Sequence, residues 1–412
     1  MPDIAIVHSS FLLGLDAVLL RVHCAAESGG RPDLVELVGA PVHGAKELSI
    51  RVRSALSAAG VAYPGGASVE LSPTPTSTVQ LDLAVAIALL SAHGFISSPH
   101  DLLVLGELGL DGSVREVRGV LAGALAARAA GLRGVIVPVA SAKEAALVDG
   151  LSVYAVADLT DVIHCVQGMA SPGNPYYLYT GETPAAPSAQ RASRVDLADI
   201  RGQAAAVDAF ARAVVRGDRV LLSGPPGVGK TMLARRLSTL LSEMTRDERL
   251  LVVRAYSAVG MSSSALAIDE RPFRAPHYTI STSALVGEVG RAQRPGELQL
   301  SACGVLFLDG LTEFRRDALP SLAGALDRMD PGIRPRIVAS VNPCPCGWSS
   351  SDVRACSCSA EVVSRHAARI HVAAEILGIR ATVEVPAISL EGLRATAPGR
   401  SSAELREAAG RD

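Results

Sequence analysis

The sequence feature that most constrains the fold is the motif G-x-x-x-x-G-K-T, which begins at Gly224. The run Arg219–Leu222 (RVLL) before it predicts a strand, and the run MLARRLSTLL after Thr231 predicts a helix. In this setting the glycines let main-chain N–H groups turn inward around phosphate oxygens, and the helix N-terminus adds positive potential. The motif therefore predicts an α/β core with a phosphate-binding loop (Walker A, or P-loop) at the end of one strand.

The predicted loop supplies the candidate residues for nucleotide binding. They are Gly224, Pro225, Pro226, Gly227, Val228, Gly229, Lys230 and Thr231. In this motif the lysine reaches the β and γ phosphates, and the threonine hydroxyl is a ligand of Mg²⁺. Lys230 is also one of only three lysines among 39 basic residues, which disfavours a chance glycine-rich turn. We expect ATP or ADP with Mg²⁺ as the ligand.

Two further strand patterns end in polar residues. Asp309 follows the apolar run GVLFL, and Asn342 follows IVASV. A carboxylate at the end of a neighbouring strand is the expected second protein ligand of Mg²⁺, beside Thr231. Asn342 is the candidate catalytic residue, in a sensor-like role that orients water near the γ-phosphate. Asparagine after a strand is also frequent in ordinary turns, so its signal is weak by itself.

Composition excludes several classes of protein. The 412 residues are 49% apolar and 19% charged, which excludes a mainly disordered chain and predicts two or three domains. The net charge of −2 excludes a basic field over the whole protein, so any contact with DNA would need a local patch. The candidate for such a patch is the basic stretch around His277, which contains Arg271, Arg274, Arg291 and Arg294. The default interpretation is that these arginines lie on solvated loops.

The expected location is the cytoplasm. The first ten residues do not resemble an export signal, and the longest apolar stretch, Leu83–Ala92, is far shorter than a membrane span. Seven cysteines, four of them between positions 344 and 358, suit a reducing compartment better than a disulfide framework. We expect no membrane contact.

Four cysteines form a candidate metal site. Cys344, Cys346, Cys356 and Cys358 have the spacing C-x-C, nine residues, C-x-C. Four thiolates can close a tetrahedral Zn²⁺ site, although the usual spacing within each pair is wider. Free thiols in a loop are the alternative, and the sequence leaves both open.

Composition shifts predict the domain boundaries. We expect a first domain over 1–168, a Pro-, Ser- and Gly-rich linker over 169–195, a core over 196–350 and a further segment over 351–412. The order of elements in the first domain predicts an α+β sandwich. Its predicted strands are Ala67–Leu71, Leu102–Leu105, Val114–Val117 and Val135–Val137, and its predicted helices are Leu81–Ala92, Ala122–Ala130 and Ser141–Val148, the last capped by Ser141.

Six segments together, in order, resemble the magnesium-chelatase-like AAA+ ATPases of the YifB/ComM type. They are Asp196–Gln203, GPPGVGKTMLARRL, Arg271–His277, Arg294–Glu297, GVLFLD and Asn342–Gly347. The resemblance implies a ribosomal-S5/Lon-protease-like N-terminal domain, an AAA+ core, and a lid of which 351–412 contains only the start, after the last core strand. It also implies a ring made with copies of itself or an intact paralogue, with a hexamer as the candidate assembly. A further implication is a link to DNA branch migration in natural transformation.

The first domain is expected to be non-proteolytic. The stretch Leu105–Val114 is similar to the Lon proteolytic domain, whose next helix carries the lysine of a Ser–Lys dyad. Leu121 and Gly123 occupy the lysine-like places here, and no lysine lies between 47 and 142. Without an amine to accept its proton, a serine nucleophile stays inactive.

Four departures from the family pattern concern hydrolysis and ring coupling. Gly310 stands where the family has the glutamate that polarises water, and Glu313 is no obvious replacement because the family carries a glutamate there too. Arg380 is two places out of register with the arginine finger. The segment between Leu326 and Asn342 is too short for the family's pore hairpin, and the sensor arginine of the lid is missing. We therefore expect weak or lost ATP hydrolysis and weakened action on DNA.

Three functions remain open on the sequence alone. The first is an AAA+ ATPase that acts on DNA with reduced turnover. The second is a catalytically silent nucleotide-binding subunit with a regulatory or assembly role. The third, a subunit of a metal-chelation motor, rests on family kinship alone.

Overall fold

The computed structural model describes residues 4–27, 35–39, 44–64, 66–78, 80–168, 178–180, 195–261, 271–288, 294–349, 351, 353–388 and 398–410. The chain divides into two compact units. Unit 1 comprises Met1–Ala185, Val253–Ala267 and Val289–Arg294, and unit 2 comprises Ala186–Val252, Ile268–Glu288 and Pro295–Asp412. Most of the predicted linker 169–195 lies outside the described residues.

Unit 1 contains a mixed sheet of seven strands in the order β3-β4-β2-β1-β5-β8-β9. The pairs β1–β2 and β2–β4 are antiparallel, and the other neighbours are parallel. A small antiparallel ribbon, β6–β7, lies outside this sheet. The strands are β1 Ile4–Leu13, β2 Asp16–Ala26, β3 Val35–Val38, β4 Ala67–Ser72, β5 Leu102–Val104, β6 Glu107–Leu108, β7 Val114–Arg115, β8 Gly134–Pro138 and β9 Ser152–Val156.

The helices of unit 1 pack around one apolar core. Their bounds are Ala45–Ala58, Asp82–Ala92, Val120–Ala129, Ala142–Ala145 and Leu159–Gly168. The helix Asp82–Ala92 is buried at every position from Asp82 to Leu90, which agrees with its apolar residues on nearly every face. It contacts both strands of the β1–β2 hairpin and anchors the sheet.

Most of the predicted elements of unit 1 are confirmed within a few residues, but two details differ. The predicted strand Val114–Val117 is limited to Val114–Arg115. The predicted cap at Ser141 is wrong, because the helix Ala142–Ala145 follows directly from the 3-10 turn Val139–Ser141. Ser141 is already in the helical region, at φ −95° and ψ −5°, and among the described residues its hydroxyl makes no capping hydrogen bond.

Unit 2 is built on a sheet of five parallel strands in the order β11-β12-β13-β10-β14. The chain is therefore a mixed α/β protein with a parallel sheet, consistent with a P-loop NTPase core. The strand before the predicted loop, β10, lies between β13 and β14, and β13 separates it from the strand before Asp309. These strands are β10 Val220–Ser223, β11 Phe273–Arg274, β12 Val305–Leu308, β13 Arg336–Val341 and β14 Ala381–Glu384.

One helix of the second half differs from its prediction. The helix predicted after Thr231 is α-helical over Lys230–Arg235 and continues as a 3-10 helix over Arg236–Leu240. Between Leu326 and Asn342 the chain forms a 3-10 turn over Pro331–Ile333, in which the Asp330 carboxylate accepts the N–H of Gly332 at 2.8 Å. In the described ranges every helix is too short or too polar to span a membrane. The other helices are Ala204–Arg216, Arg246–Ala258, Thr282–Val286, Glu297–Leu300, Ala318–Arg328, Ala360–Ile376 and Ser402–Ala409.

The last described helix, Ser402–Ala409, closes the core of unit 2. Leu405 is 2% exposed and belongs to the same buried cluster as Phe210. The Asp196 carboxylate accepts the N–H of Ser402 at 3.0 Å, which ties the helix to the first described residues of the unit. This helix is therefore part of the folded core of unit 2.

We predict that Leu405→Ala lowers the free energy of unfolding of unit 2 by about 2–4 kcal/mol, because it removes a buried side chain and leaves a cavity. Urea unfolding followed through Trp348, the single tryptophan, measures this change. The control Leu405→Met keeps most of the volume and should cost less than about 1.5 kcal/mol. An equal, small effect of both substitutions would contradict the packing described here.

Candidate phosphate-binding site and cysteine cluster

The predicted site residues of unit 2 converge at one edge of the parallel sheet. Gly224, Asp309 and Asn342 each follow the carboxyl end of a strand, β10, β12 and β13, and parallel strands place those ends together. The Thr231 hydroxyl lies 3.3 Å from a carboxylate oxygen of Asp309. Lys230 Nζ lies 3.0 Å from Asn342 Oδ1. Residues that are up to 118 positions apart in sequence, from 224 to 342, therefore form one cluster.

The loop conformation depends on its glycines. Gly227 and Gly229 have φ of +79° and +98°, in the left-handed region where other residues are strained. A Cβ on Gly224 would lie 2.2 Å from the carbonyl oxygen of Val385, so a side chain does not fit there. The helix Lys230–Arg235 begins directly after the second left-handed glycine, which directs its N-terminus at the loop.

Lys230 is buried, at 8% exposure, and its ammonium group is fully hydrogen-bonded. It donates to the carbonyl oxygens of Gly224 at 2.7 Å and Pro225 at 2.8 Å, and to Asn342 Oδ1 at 3.0 Å. Burial lowers the pKa of Lys230, and the negative charge of Asp309 partly opposes this effect. These three acceptors are neutral, so an anionic phosphate oxygen is a stronger partner that can replace one of them.

Ser340 fixes the orientation of the Asp309 carboxylate. Its hydroxyl donates to Asp309 Oδ1 and accepts the N–H of Gly310 at 3.1 Å. Ser340 is 1% exposed, and sequence reasoning did not identify it. The sequence signal that could have identified it is a serine within the otherwise apolar run IVASV, one position before the last residue of the strand. The second oxygen of Asp309 remains beside Thr231, and the two groups are hard oxygen donors of the kind that Mg²⁺ prefers.

Gly310, where the family pattern has glutamate, is in the left-handed region at φ +72°. A Cβ built on it would lie 3.2 Å from the carboxylate carbon of Glu313. The exposed carboxylate of Glu313 therefore occupies the space into which a side chain at position 310 would extend.

Two polar side chains that sequence reasoning did not assign hold the loop from outside. Gln203 Nε2 donates to the carbonyl oxygens of Val228 and Pro386, each at 3.0 Å. His366 Nε2 lies 3.0 Å from the carbonyl oxygen of Asn342. Both residues lie far from their partners in sequence, so no local pattern points to these contacts.

The four predicted cysteine ligands lie together. Their sulfur atoms are all within 4.8 Å of one another, and the cluster could hold a metal ion. The measured Sγ–Sγ separations are 3.3 Å for Cys344–Cys346, 3.7 Å for Cys344–Cys356 and 3.5 Å for Cys346–Cys356. These distances exclude disulfides between those pairs, whose sulfur atoms would be about 2.05 Å apart. Main-chain hydrogen bonds, first from Ser357 and then from Trp348, lower the pKa of the Cys346 thiol to about 5.

The basic stretch is largely committed to internal ion pairs. Arg271 donates to both carboxylate oxygens of Glu248, at 2.9 and 3.1 Å. Arg274 pairs with Glu297 in the same two-point manner, with one contact of 2.6 Å. Arg294 is exposed, and His277 contacts the hydroxyl of Thr279 at 2.7 Å. Arg291 lies outside the described residues.

Comparisons with known proteins show the family of the chain. The profile of the family described as magnesium chelatase, subunit ChlI, matches residues 196–389, and a profile described as subunit ChlI of Mg-chelatase matches residues 22–141. Competence protein ComM of Haemophilus influenzae is 34% identical over 98% of this chain and 81% of its own length. The chain belongs to the magnesium-chelatase-like ComM/YifB family.

Two other relatives are similar to most of the chain. An uncharacterized protein of Mycobacterium tuberculosis is 37% identical over 87% of this chain and 72% of its own length. The uncharacterized protein YifB of Escherichia coli is 33% identical over 86% of this chain and 71% of its own length. The similarity therefore extends over both units and includes the candidate phosphate-binding site.

We predict that Ser340→Ala lowers the free energy of unfolding of unit 2 by about 1–3 kcal/mol, because it removes the partner of the Asp309 carboxylate and of a main-chain N–H. Urea unfolding followed through Trp348 measures the change. The matched control is Ser321→Ala on the helix Ala318–Arg328, whose hydroxyl bonds only the carbonyl of Asp317 in the described structure. Equal effects of the two substitutions would show that Ser340 has no special role.

Proposed function

We propose that this protein binds ATP or ADP with Mg²⁺ at the loop Gly224–Thr231. The observation that carries the proposal is the convergence of Lys230, Thr231, Asp309 and Asn342 at the carboxyl end of a parallel sheet. Lys230 would bind the β and γ phosphates. Thr231 and Asp309 would hold Mg²⁺, which neutralises phosphate charge when bound, and Asn342 would act in the sensor-like role.

We propose that hydrolysis is weak or lost. Gly310 supplies no carboxylate to polarise water, and the loss of a general base commonly costs about 10²–10⁴-fold in rate. Arg380 is exposed before β14, out of register with the expected finger. A missing finger costs about 10³–10⁵-fold. A catalytically silent regulatory or assembly subunit is the second candidate, and Gly310 is the observation that favours it.

The wider role follows from the family. We propose a place in DNA processing, in a ring made with copies of itself or with an intact paralogue, and one relative carries the name competence protein. The profile match over 22–141 supports a family-type N-terminal domain, proposed as S5/Lon-like and non-proteolytic. The helix Ser402–Ala409 corresponds in this proposal to the start of the family's lid.

For the cysteine cluster we propose Zn²⁺ as the ion. A tetrahedral site with Zn–S bonds of about 2.3 Å has sulfur atoms about 3.8 Å apart. The separations of 3.3, 3.5 and 3.7 Å among Cys344, Cys346 and Cys356 are close to that value, and all four sulfur atoms lie within 4.8 Å of one another, so modest shifts would let four thiolates bind the ion. Cysteine thiolates in a tetrahedral arrangement favour zinc over hard cations.

A titration with a fluorescent ATP analogue in the presence of Mg²⁺ tests nucleotide binding. We expect a saturable signal for the wild-type protein and an affinity about 10- to 100-fold weaker for Lys230→Ala, because charge-assisted hydrogen bonds to phosphate are lost. The matched control is Lys143→Ala, which changes an exposed lysine of unit 1. This variant should bind the ATP analogue with wild-type affinity. An unchanged affinity of Lys230→Ala would contradict the assignment.

Phosphate release with and without branched DNA separates the two candidate functions. DNA-stimulated release that Lys230→Ala abolishes would identify a slow ATPase. Nucleotide binding without release would identify the silent subunit.

We predict that Gly310→Glu restores little turnover. Glutamate at φ +72° is strained by about 1–2 kcal/mol, and its side chain would meet the carboxylate of Glu313. The control Gly310→Ala carries the same backbone strain without the new carboxylate. A turnover more than about tenfold higher for the glutamate variant than for the alanine variant, in the same phosphate-release assay, would show that position 310 alone limits the rate.

A further inference from the structure

The cysteine cluster is continuous with the phosphate-binding site along the chain. Asn342, which accepts a hydrogen bond from Lys230, is separated from Cys344 by one residue. Because Pro343 has a fixed φ, it leaves little freedom between the two. We therefore expect a shift of Cys344 to be passed on to Asn342, whose side chain contacts Lys230.

A second contact joins the same two features through space. Gly347 is buried, and a Cβ on it would lie 2.5 Å from Cδ of Pro226 in the phosphate-binding loop. Its φ of +86° and the hydrogen bond from its N–H to the carbonyl of Cys344, at 2.9 Å, form a tight turn. The main chain of the cysteine segment therefore lies directly against the phosphate-binding loop, at a distance that only glycine allows.

The other half of the cluster belongs to the following helix. Cys358 comes directly before Ser359, whose hydroxyl caps the helix Ala360–Ile376, and Cys356 lies two residues before Cys358. His366 in that helix lies 3.0 Å from the carbonyl oxygen of Asn342. The cluster thus connects the end of β13 with the start of this helix, and an ion bound there would cross-link the two.

We propose that the ion on Cys344, Cys346, Cys356 and Cys358 holds the phosphate-binding loop in its binding conformation. The ion closes the segment 344–358 against Pro226 and keeps Asn342 beside Lys230. Without the ion, nothing bridges the four thiols. The free energy of metal binding then no longer stabilises the folded conformation of the segment 344–358. Nucleotide affinity therefore depends on an ion that does not touch the nucleotide. This inference rests on the proposed function.

The experiment uses the full chain, purified with Zn²⁺. Elemental analysis should give about one zinc per chain, since four thiolates close one site. A chelator that is selective for zinc over Mg²⁺ then removes the ion, and titration with a fluorescent ADP analogue in excess Mg²⁺ follows. We expect nucleotide affinity to fall about tenfold, the equivalent of about one lost hydrogen bond, and to recover when Zn²⁺ is added back. Trp348 fluorescence should change on the same steps.

Two substitutions separate the cluster from its contact with the loop. Cys356→Ser removes a ligand from the half of the cluster that precedes the helix Ala360–Ile376, and should lose zinc and nucleotide affinity together. The control Cys165→Ser changes a buried cysteine of unit 1 and should affect neither. Gly347→Ala should retain stoichiometric zinc but bind ADP more weakly, because its methyl group displaces Pro226. This variant tests the contact even where the zinc-free protein unfolds.

The possible failures are distinguishable. If zinc-loaded wild-type protein binds no nucleotide, the proposed function fails and the inference fails with it. If the loaded protein binds nucleotide but zinc removal and Gly347→Ala leave the affinity unchanged, the inference alone is overturned. If the purified protein contains no zinc and the cluster takes none up, the inference is overturned, and the proposed nucleotide site is left intact.

Discussion

The candidate site is organised around one buried positive charge. The ammonium of Lys230 is surrounded by two carbonyl oxygens of its own loop and by the side chain of Asn342, with Asp309 as a nearby negative charge. A buried cation that is held mainly by neutral acceptors favours the approach of an anion. The strand order, the left-handed glycines and the hydrogen bonds of Gln203 all serve to hold the loop that surrounds this charge.

In the proposed function, binding and turnover depend on different residues of the same site. The lysine, the threonine and the aspartate that would bind a magnesium–nucleotide complex are present and close together. The position after Asp309 is a glycine in the left-handed region, and the nearest carboxylate comes instead from Glu313, three residues later. A backbone in this conformation disfavours the glutamate that the family pattern has there.

Residues that follow a strand in sequence could be predicted, and residues that support them from elsewhere could not. Asp309 and Asn342 were found because each ends a short apolar run. Gln203 escaped notice because its partner Pro386 lies 183 positions away. The hairpin β1–β2 was not predicted, and the helix after Thr231 gave no sequence signal for its change to 3-10 geometry at Arg236. The spacing of the cysteines was visible, but their closeness to Pro226 requires the folded chain.

Amide hydrogen exchange of the wild-type protein, with and without Mg²⁺–ADP, tests the central claim most directly. If the nucleotide is held by main-chain N–H groups of the loop and by the Lys230 ammonium, peptides that cover residues 224–231 should gain the largest protection. Peptides that cover Asn342 and Cys344 should gain protection with them. Unchanged exchange over 224–231 at saturating nucleotide, or protection confined to unit 1, would contradict the account.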